Sequence, residues 1–86
     1  MTASTVHLRL FASARAATGL AELTLRLPAG ATIAQALAEL SPAPGQPLGQ
    51  VLARCSFLLN AVATTDRSTE LSEGDRLDVL PPFAGG

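Results

Sequence analysis

Hydrophobic and polar residues alternate in three separate stretches of this chain. The stretches cover residues 6–10, 22–27 and 76–79, each with leucine or valine at every second position. A period of two is typical of a strand that buries one face. We expect the first two strands to form a β-hairpin, joined by a loop that contains Gly19.

The middle of the chain has the period of a helix instead. Apolar residues recur at i, i+3, i+4 and i+7 across residues 33–40, which is the stripe of an amphipathic helix. Thr32 is placed as its N-cap, with Gln35 as the partner in a capping box. Pro42 is expected to end the helix. A shorter stripe over residues 48–55 predicts a brief second helix.

The remaining segments complete a mixed fold. Residues 57–59 predict a short strand that turns at Asn60, because asparagine tolerates left-handed backbone geometry. The polar residues 64–69 predict a loop, and residues 72–75 a turn before the last strand. This order predicts an α+β fold of the β-grasp (ubiquitin-like) kind: a mixed sheet of four to five strands with one main helix packed on one face.

Composition narrows the classes of function. The 86 residues fit one domain, with seven acidic side chains against six arginines and no lysine. This balance offers no basic surface for nucleic acid or an anionic membrane. One cysteine and one histidine cannot form a disulfide or a set of metal ligands. With no secretory signal and no apolar run of about 20 residues, we expect a cytoplasmic protein that binds no cofactor, metal, nucleic acid or membrane.

The C-terminal residues have a different character from the body. We divide the chain into a domain over residues 1–80 and a flexible tail over residues 81–86. Pro81 and Pro82 cannot donate ladder hydrogen bonds, and they favour a stiff, extended segment. Six residues span up to about 20 Å. A terminal pair of glycines is narrow enough to enter a tunnel that side chains would block.

A carboxylate at the tip of such a tail is a poor electrophile, because its ordinary pKa near 3.5 leaves it ionised at neutral pH. Chemistry at Gly86 therefore requires activation, and an acyl-adenylate made by an ATP-using partner is the natural form. The chain has no phosphate-binding glycine loop and no Walker-type lysine. Taken alone, Gly85 and Gly86 would be read as a frayed terminus; the proline spacer after a regular strand favours function.

Two motifs resemble a known family. The ending GDRLDVLPPFAGG, residues 74–86, and the stretch LFASAR, residues 10–15, are similar to motifs of the MoaD-type small subunits of molybdopterin synthase. Asn60 falls where that family has a turn asparagine. The resemblance covers nearly the whole chain. It implies that the last strand pairs with the first in the centre of the sheet.

The resemblance also implies a function, that of a non-catalytic sulfur donor. An adenylating enzyme of the ubiquitin-activating type would use ATP to activate the Gly86 carboxylate, and sulfur would replace AMP to leave a thiocarboxylate. The tail would then enter the large subunit of molybdopterin synthase, in a heterotetramer, and give its sulfur to a pyranopterin precursor of the molybdenum cofactor. Gly86 is thus the reacting residue, and the expected partner contacts are Pro81, Pro82, Phe83, Ala84 and Gly85.

Two other functions fit the same tail. One is a sulfur carrier for thiazole or cysteine biosynthesis, although thiazole carriers are usually shorter and lack the FAxxR stretch. The other is a ubiquitin-like modifier joined to target proteins through Gly86, for which self-chains through lysine are excluded because this chain has no lysine. An adaptor with an inert tail is a third, structural alternative.

A few other residues invite a chemical role, but a structural role is favoured for each. Cys55 lies on an apolar stripe and is predicted to be a buried structural thiol rather than the sulfur donor. His7 is predicted to lie on the polar side of the first strand. Asp75 and Asp78 are assigned to a turn and to the solvent-facing side of the last strand, not to a catalytic pair.

Overall fold

The computed structural model describes residues 3–81. Five strands and three short helices follow one another in the order β1 Ala3–Leu10, α1 Ala12–Thr18, β2 Glu22–Pro28, α2 Ile33–Ala38, α3 Leu48–Arg54, β3 Ser56–Leu59, β4 Val62–Thr64 and β5 Arg76–Leu80.

The strands form one mixed sheet in the order β2-β1-β5-β3-β4. β5 is central, parallel to β1 and antiparallel to β3, as expected for the last strand. The predicted β-grasp fold is confirmed, with five strands. The first two strands pair antiparallel from Ala3 with Pro28 to Arg9 with Glu22.

The connection between those two strands differs from the prediction. It is the helix α1, where the sequence predicts a loop around Gly19. Gly19 instead ends α1 in the left-handed conformation, with φ 76°, and its N–H donates to the carbonyl of Arg15. The hydrophobic periodicity does not indicate this helix, because its only buried apolar side chains are the methyl groups of Ala14 and Ala17.

The helix α2 begins as predicted. The Thr32 hydroxyl accepts a hydrogen bond from the backbone N–H of Gln35, and the Gln35 side chain accepts one from the backbone N–H of Thr32. Two further N–H groups, those of Ile33 and Ala34, donate to the carbonyls of Thr69 and Arg67. The loop after β4 therefore satisfies the donors that the first turn of a helix leaves open. The brief helix predicted over residues 48–55 is also confirmed, as α3.

The core lies between one face of the sheet and the helices. Alternate residues of β1, β5 and β3 point into this core, so one face of each of these three strands is buried. Its largest fully buried side chains are Val6, Leu8, Leu10, Ile33, Phe57, Leu77 and Val79. The opposite face of the sheet has no helix over it in the described part of the chain, and we call it the open face.

The predicted turns are present. Asn60, at the turn from β3 to β4, has φ 49°, as expected for an asparagine in left-handed geometry. Its amide donates to the carboxylate of Asp75 over 2.9 Å and accepts from the N–H of Arg76 over 2.9 Å. Asn60 therefore ties the β3–β4 turn to the start of β5. In the described part of the chain, no helix is long and apolar enough to cross a membrane.

Candidate functional site

The end of β5 is where the predicted tail leaves the body of the protein. β5 runs to Leu80, which pairs with Ser56 of β3. On its other side the last contact with β1 is the pair Leu10 and Val79. Beyond this point the chain after β1 turns away into α1, so β5 continues without a partner on that side.

Two contacts hold this end in place. The backbone N–H of Phe11 donates to the carbonyl of Val79 over 3.1 Å. The Ser56 hydroxyl donates to the carbonyl of Pro81 over 3.5 Å, a long and weak hydrogen bond. Pro81, which has no N–H to give to the sheet, is half-buried. We call the end of β5 together with Pro81 the anchor of the tail; it is paired with β3 up to Leu80 and held at Pro81 by one long hydrogen bond.

Only one of the six predicted site residues can be placed. Pro81 lies at the end of the central strand. The others, Pro82, Phe83, Ala84, Gly85 and Gly86, lie outside the described residues. Their assignment as partner contacts and as the reacting terminus stays a prediction, as does the division of the chain at residue 81.

Apolar side chains surround the anchor on the open face. Phe11 is 37% exposed, and Leu58 and Leu80 are half-buried. Arg15, the last residue of the FAxxR stretch, is exposed one helical turn beyond Phe11. The two motifs that are far apart in sequence thus meet at this end of the sheet, because β1 and β5 are parallel neighbours.

An ion pair lies beside this apolar patch. Arg9 Nε is 2.9 Å from Asp78 Oδ1, and Arg9 Nη2 is 3.0 Å from Oδ2. The hydrogen bond to Asp78, together with the charge of its carboxylate, raises the pKa of Arg9. The prediction that Asp78 is solvent-facing was wrong: it belongs to the open face but is buried, because Arg9 covers it. Asp75 does belong to the turn, accepting from the N–H of Ser72.

The sequence contains a signal for the ion pair between Arg9 and Asp78. Arg9 and Asp78 are directly opposite in the register of β1 and β5. Once the last strand is expected beside the first, opposite charges at matching positions near the two motifs predict a contact. Local patterns do not reveal the pair, because the two residues are 69 positions apart in the sequence.

Cys55 has the structural role that was predicted. It is buried and free, and its Sγ donates to the carbonyl of Val51 over 3.2 Å. Burial raises the pKa of its thiol, while the charge of Arg67 acts in the opposite direction. A thiol with a raised pKa is a poor nucleophile at neutral pH. His7 is exposed on β1, beside Thr24, as predicted.

No metal centre is found in residues 3–81, where no three metal-ligating side chains come together. At the end of β5, the described part of the site presents an apolar patch with an adjacent ion pair.

Together these features define a ubiquitin-like domain whose central strand, β5, ends at Leu80 beside a partly exposed apolar patch and an ion pair. Residues 8–86 match the model of the ThiS family. The chain is 37% identical over 81 residues to the molybdopterin synthase sulfur carrier subunit of Arabidopsis thaliana, covering 94% of this chain and 82% of that protein. The chain belongs to the ThiS family.

Solved structures share the fold. The small archaeal modifier protein 1 of Methanosarcina acetivorans is similar with a TM-score of 0.74 and 24% identity, over 100% of both chains. In the complex of subunits 1 and 2 of the molybdopterin-converting factor from Helicobacter pylori, one chain is similar with a TM-score of 0.64 and 24% identity, over 95% of this chain and 99% of that one. At these identities the likeness concerns the fold.

Proposed function

We propose that this chain is the sulfur carrier subunit of a molybdopterin synthase and that sulfur is carried on Gly86. The observation that carries this proposal is the 37% identity, over 94% of the chain, to a protein of that name. The apolar patch and the ion pair at the end of β5, next to Pro81, support it, since they form a surface for a partner that takes up the C-terminus.

The chemistry proceeds in three steps. The Gly86 carboxylate attacks the α-phosphate of ATP on a ubiquitin-activating type of enzyme, forming an acyl-adenylate and releasing pyrophosphate. A persulfide sulfur then displaces AMP, and a thiol reduces the resulting acyl disulfide to a thiocarboxylate. Finally the tail enters the large subunit, where the thiocarboxylate gives its sulfur to a pyranopterin precursor. In this scheme the chain binds no cofactor itself.

The described residues support a carrier more than an enzyme. The protein's one thiol is buried and held by a backbone carbonyl, so it does not compete with the C-terminus for sulfur. The existence of a two-subunit complex around a protein of this fold supports a large subunit as the partner. We also propose the cytoplasm as its location, which suits a free, unpaired cysteine.

Reconstitution tests the proposal. The purified chain is combined with the large subunit and the activating enzyme of the same organism, ATP, a persulfide donor and the pterin precursor. We expect dithiolene formation, and we expect deletion of Gly85 and Gly86 to abolish it. The matched control is Gly49→Ala, because a methyl group added at this exposed glycine of α3 meets nothing within 4 Å.

Two results would contradict the proposal. One is dithiolene formation at the normal rate by the chain that lacks both glycines. The other is a ladder of conjugates on a denaturing blot, dependent on Gly86, without any sulfur transfer, which would assign the chain as a protein modifier instead.

A further inference from the structure

Asp78 is unusual among the residues of the open face. Its side chain is only 8% exposed, although that face has no helix over it in the described part of the chain. The cover is the guanidinium of Arg9, which meets both carboxylate oxygens at 2.9 and 3.0 Å. A bidentate pair of this kind fixes the plane of the guanidinium as well as its position.

A second contact holds Arg9 from another side. Its Cζ lies 5.5 Å from the centre of the Phe11 ring, within the range of a cation–π interaction. Arg9 nevertheless remains 45% exposed and borders two shallow depressions of the open face, both of which are also lined by His7 and Arg76. The side chain is therefore ordered before any partner arrives.

The ordered guanidinium has unused binding capacity. It carries five N–H donors, and two of them are taken by Asp78. Glu22, its neighbour across β1 and β2, forms no ion pair with it. Three donors thus have no acceptor within residues 3–81. An arginine fixed in advance loses little entropy on binding, which is why such residues are often the strongest contacts of an interface.

Arg9 also lies next to the anchor of the tail. Phe11, on which it stacks, donates its N–H to Val79, two residues before Pro81. Under the proposed function, a protein that takes up the tail contacts the chain from Pro81 onward, next to this end of the open face. We infer that Arg9 is a specificity-determining contact for that protein, the large subunit under the proposed function, and that the large subunit places a carboxylate against its free donors. Asp78 is the positioning residue.

The inference is tested by binding of the large subunit to the full-length chain at several salt concentrations. The main variant is the double substitution Arg9→Gln and Asp78→Asn, which keeps a hydrogen-bonded pair but removes both charges. It avoids leaving Asp78 buried and unpaired, which would endanger the fold. Arg9→Lys keeps the charge and loses the planar fork. The matched control is Arg26→Gln, an exposed arginine of the same face on β2.

We expect the double variant to bind about tenfold or more weakly and to lose part of the salt dependence of binding. Arg9→Lys should also bind more weakly but keep the salt dependence, while Arg26→Gln should stay within about twofold of the wild type. Thermal unfolding of each variant verifies that it is folded.

Several results would overturn the inference. If the wild-type chain binds and the double variant binds equally well, Arg9 is not a contact, although the proposed function stands. If the double variant binds weakly with unchanged salt dependence, no carboxylate faces Arg9. A dimer of the chain itself that depends on Arg9 would identify a second copy as the occupant. If the wild-type chain does not bind the large subunit at all, the proposed function fails and this inference fails with it.

Discussion

The two faces of the sheet differ in what their side chains do. On the helix-covered face, Leu8, Leu77 and Phe57 are almost completely buried. On the open face, the same strands present Arg9 and Asp78 in an ion pair beside the half-exposed Phe11. One face supplies the burial that makes a small domain stable. The other face leaves Arg9 and Phe11 partly exposed beside the end of β5.

This comparison teaches that stability and recognition are separated by the alternation of a strand. Neighbouring residues of β1 and β5 point to opposite faces, so Leu8 and Arg9 have different roles although they adjoin in sequence. Substitutions on the helix-covered face should therefore change the free energy of unfolding, and those on the open face chiefly the binding of a partner.

The largest expected effect comes from comparing two phenylalanines. Phe57, 1% exposed, packs in the core with Arg67 5.1 Å from its ring centre. Phe57→Ala should lower the free energy of unfolding by about 3–5 kcal/mol, because it leaves a cavity. Phe11→Ala should lower it by less, about 1–2 kcal/mol, because the residue is already 37% exposed and loses only part of a phenylalanine's apolar burial together with a surface cation–π contact. Urea denaturation measures both, and equal losses would contradict the division of the two faces.

The capping box of α2 should have an intermediate effect. Thr32→Ala removes the hydroxyl that accepts from Gln35 and should lower the free energy of unfolding by about 1 kcal/mol. Thr65→Ala, at an exposed loop position, is the matched control and should change it by less than about 0.5 kcal/mol. If Thr32→Ala and Thr65→Ala have the same free energy of unfolding, the capping box does not stabilise the helix-covered side of the sheet.

Cys55 separates stability from sulfur chemistry. Cys55→Ala removes a buried thiol and should lower the free energy of unfolding by about 1 kcal/mol, yet leave the rate of sulfur transfer in the reconstituted system unchanged. A variant that folds but no longer transfers sulfur would assign a chemical role to the thiol and contradict the account.

The smallest expected effect concerns Asp66 and is a change in how stability depends on pH. Hydrogen bonds from the Ser68 hydroxyl and N–H lower the pKa of this carboxyl. Because the folded pKa lies below the unfolded one, Asp66 stabilises the fold above its ordinary pKa of about 4, and this stabilisation is lost as pH falls through the folded pKa. Asp66→Asn should be slightly less stable than the wild type at neutral pH and equal to it in strong acid. A gap that is the same at every pH in urea denaturation would contradict this.

Much of the fold could be predicted because its signals are local. The alternation in β1, β2 and β5 and the cap at Thr32 each depend on residues within a few positions. α1 could not be found by periodicity, since alanine methyl groups give a weak stripe; its alanine-rich composition, a mark of high helix propensity, was the available signal. The Arg9–Asp78 pair required the register between the two ends of the chain, which no local pattern contains.

The motif over residues 74–86 predicts a reacting C-terminus through its resemblance to a known family. That assignment stays a prediction, because residues 82–86 lie outside the described part of the chain. The contact of Phe11 with Arg9 and the burial of Asp78 beneath Arg9 depend on which strands are neighbours in the sheet, and only the structure shows them.

The central claim is that Gly86 carries sulfur, and the mass of the C-terminal peptide from protein isolated from its native cells tests it most directly. The account predicts a fraction whose mass has risen by the difference between sulfur and oxygen, located at Gly86 by fragmentation, and lost on treatment that hydrolyses thiocarboxylates. A C-terminus found only as a free carboxylate, or joined to the lysines of other proteins, in cells that are making molybdenum cofactor would contradict it.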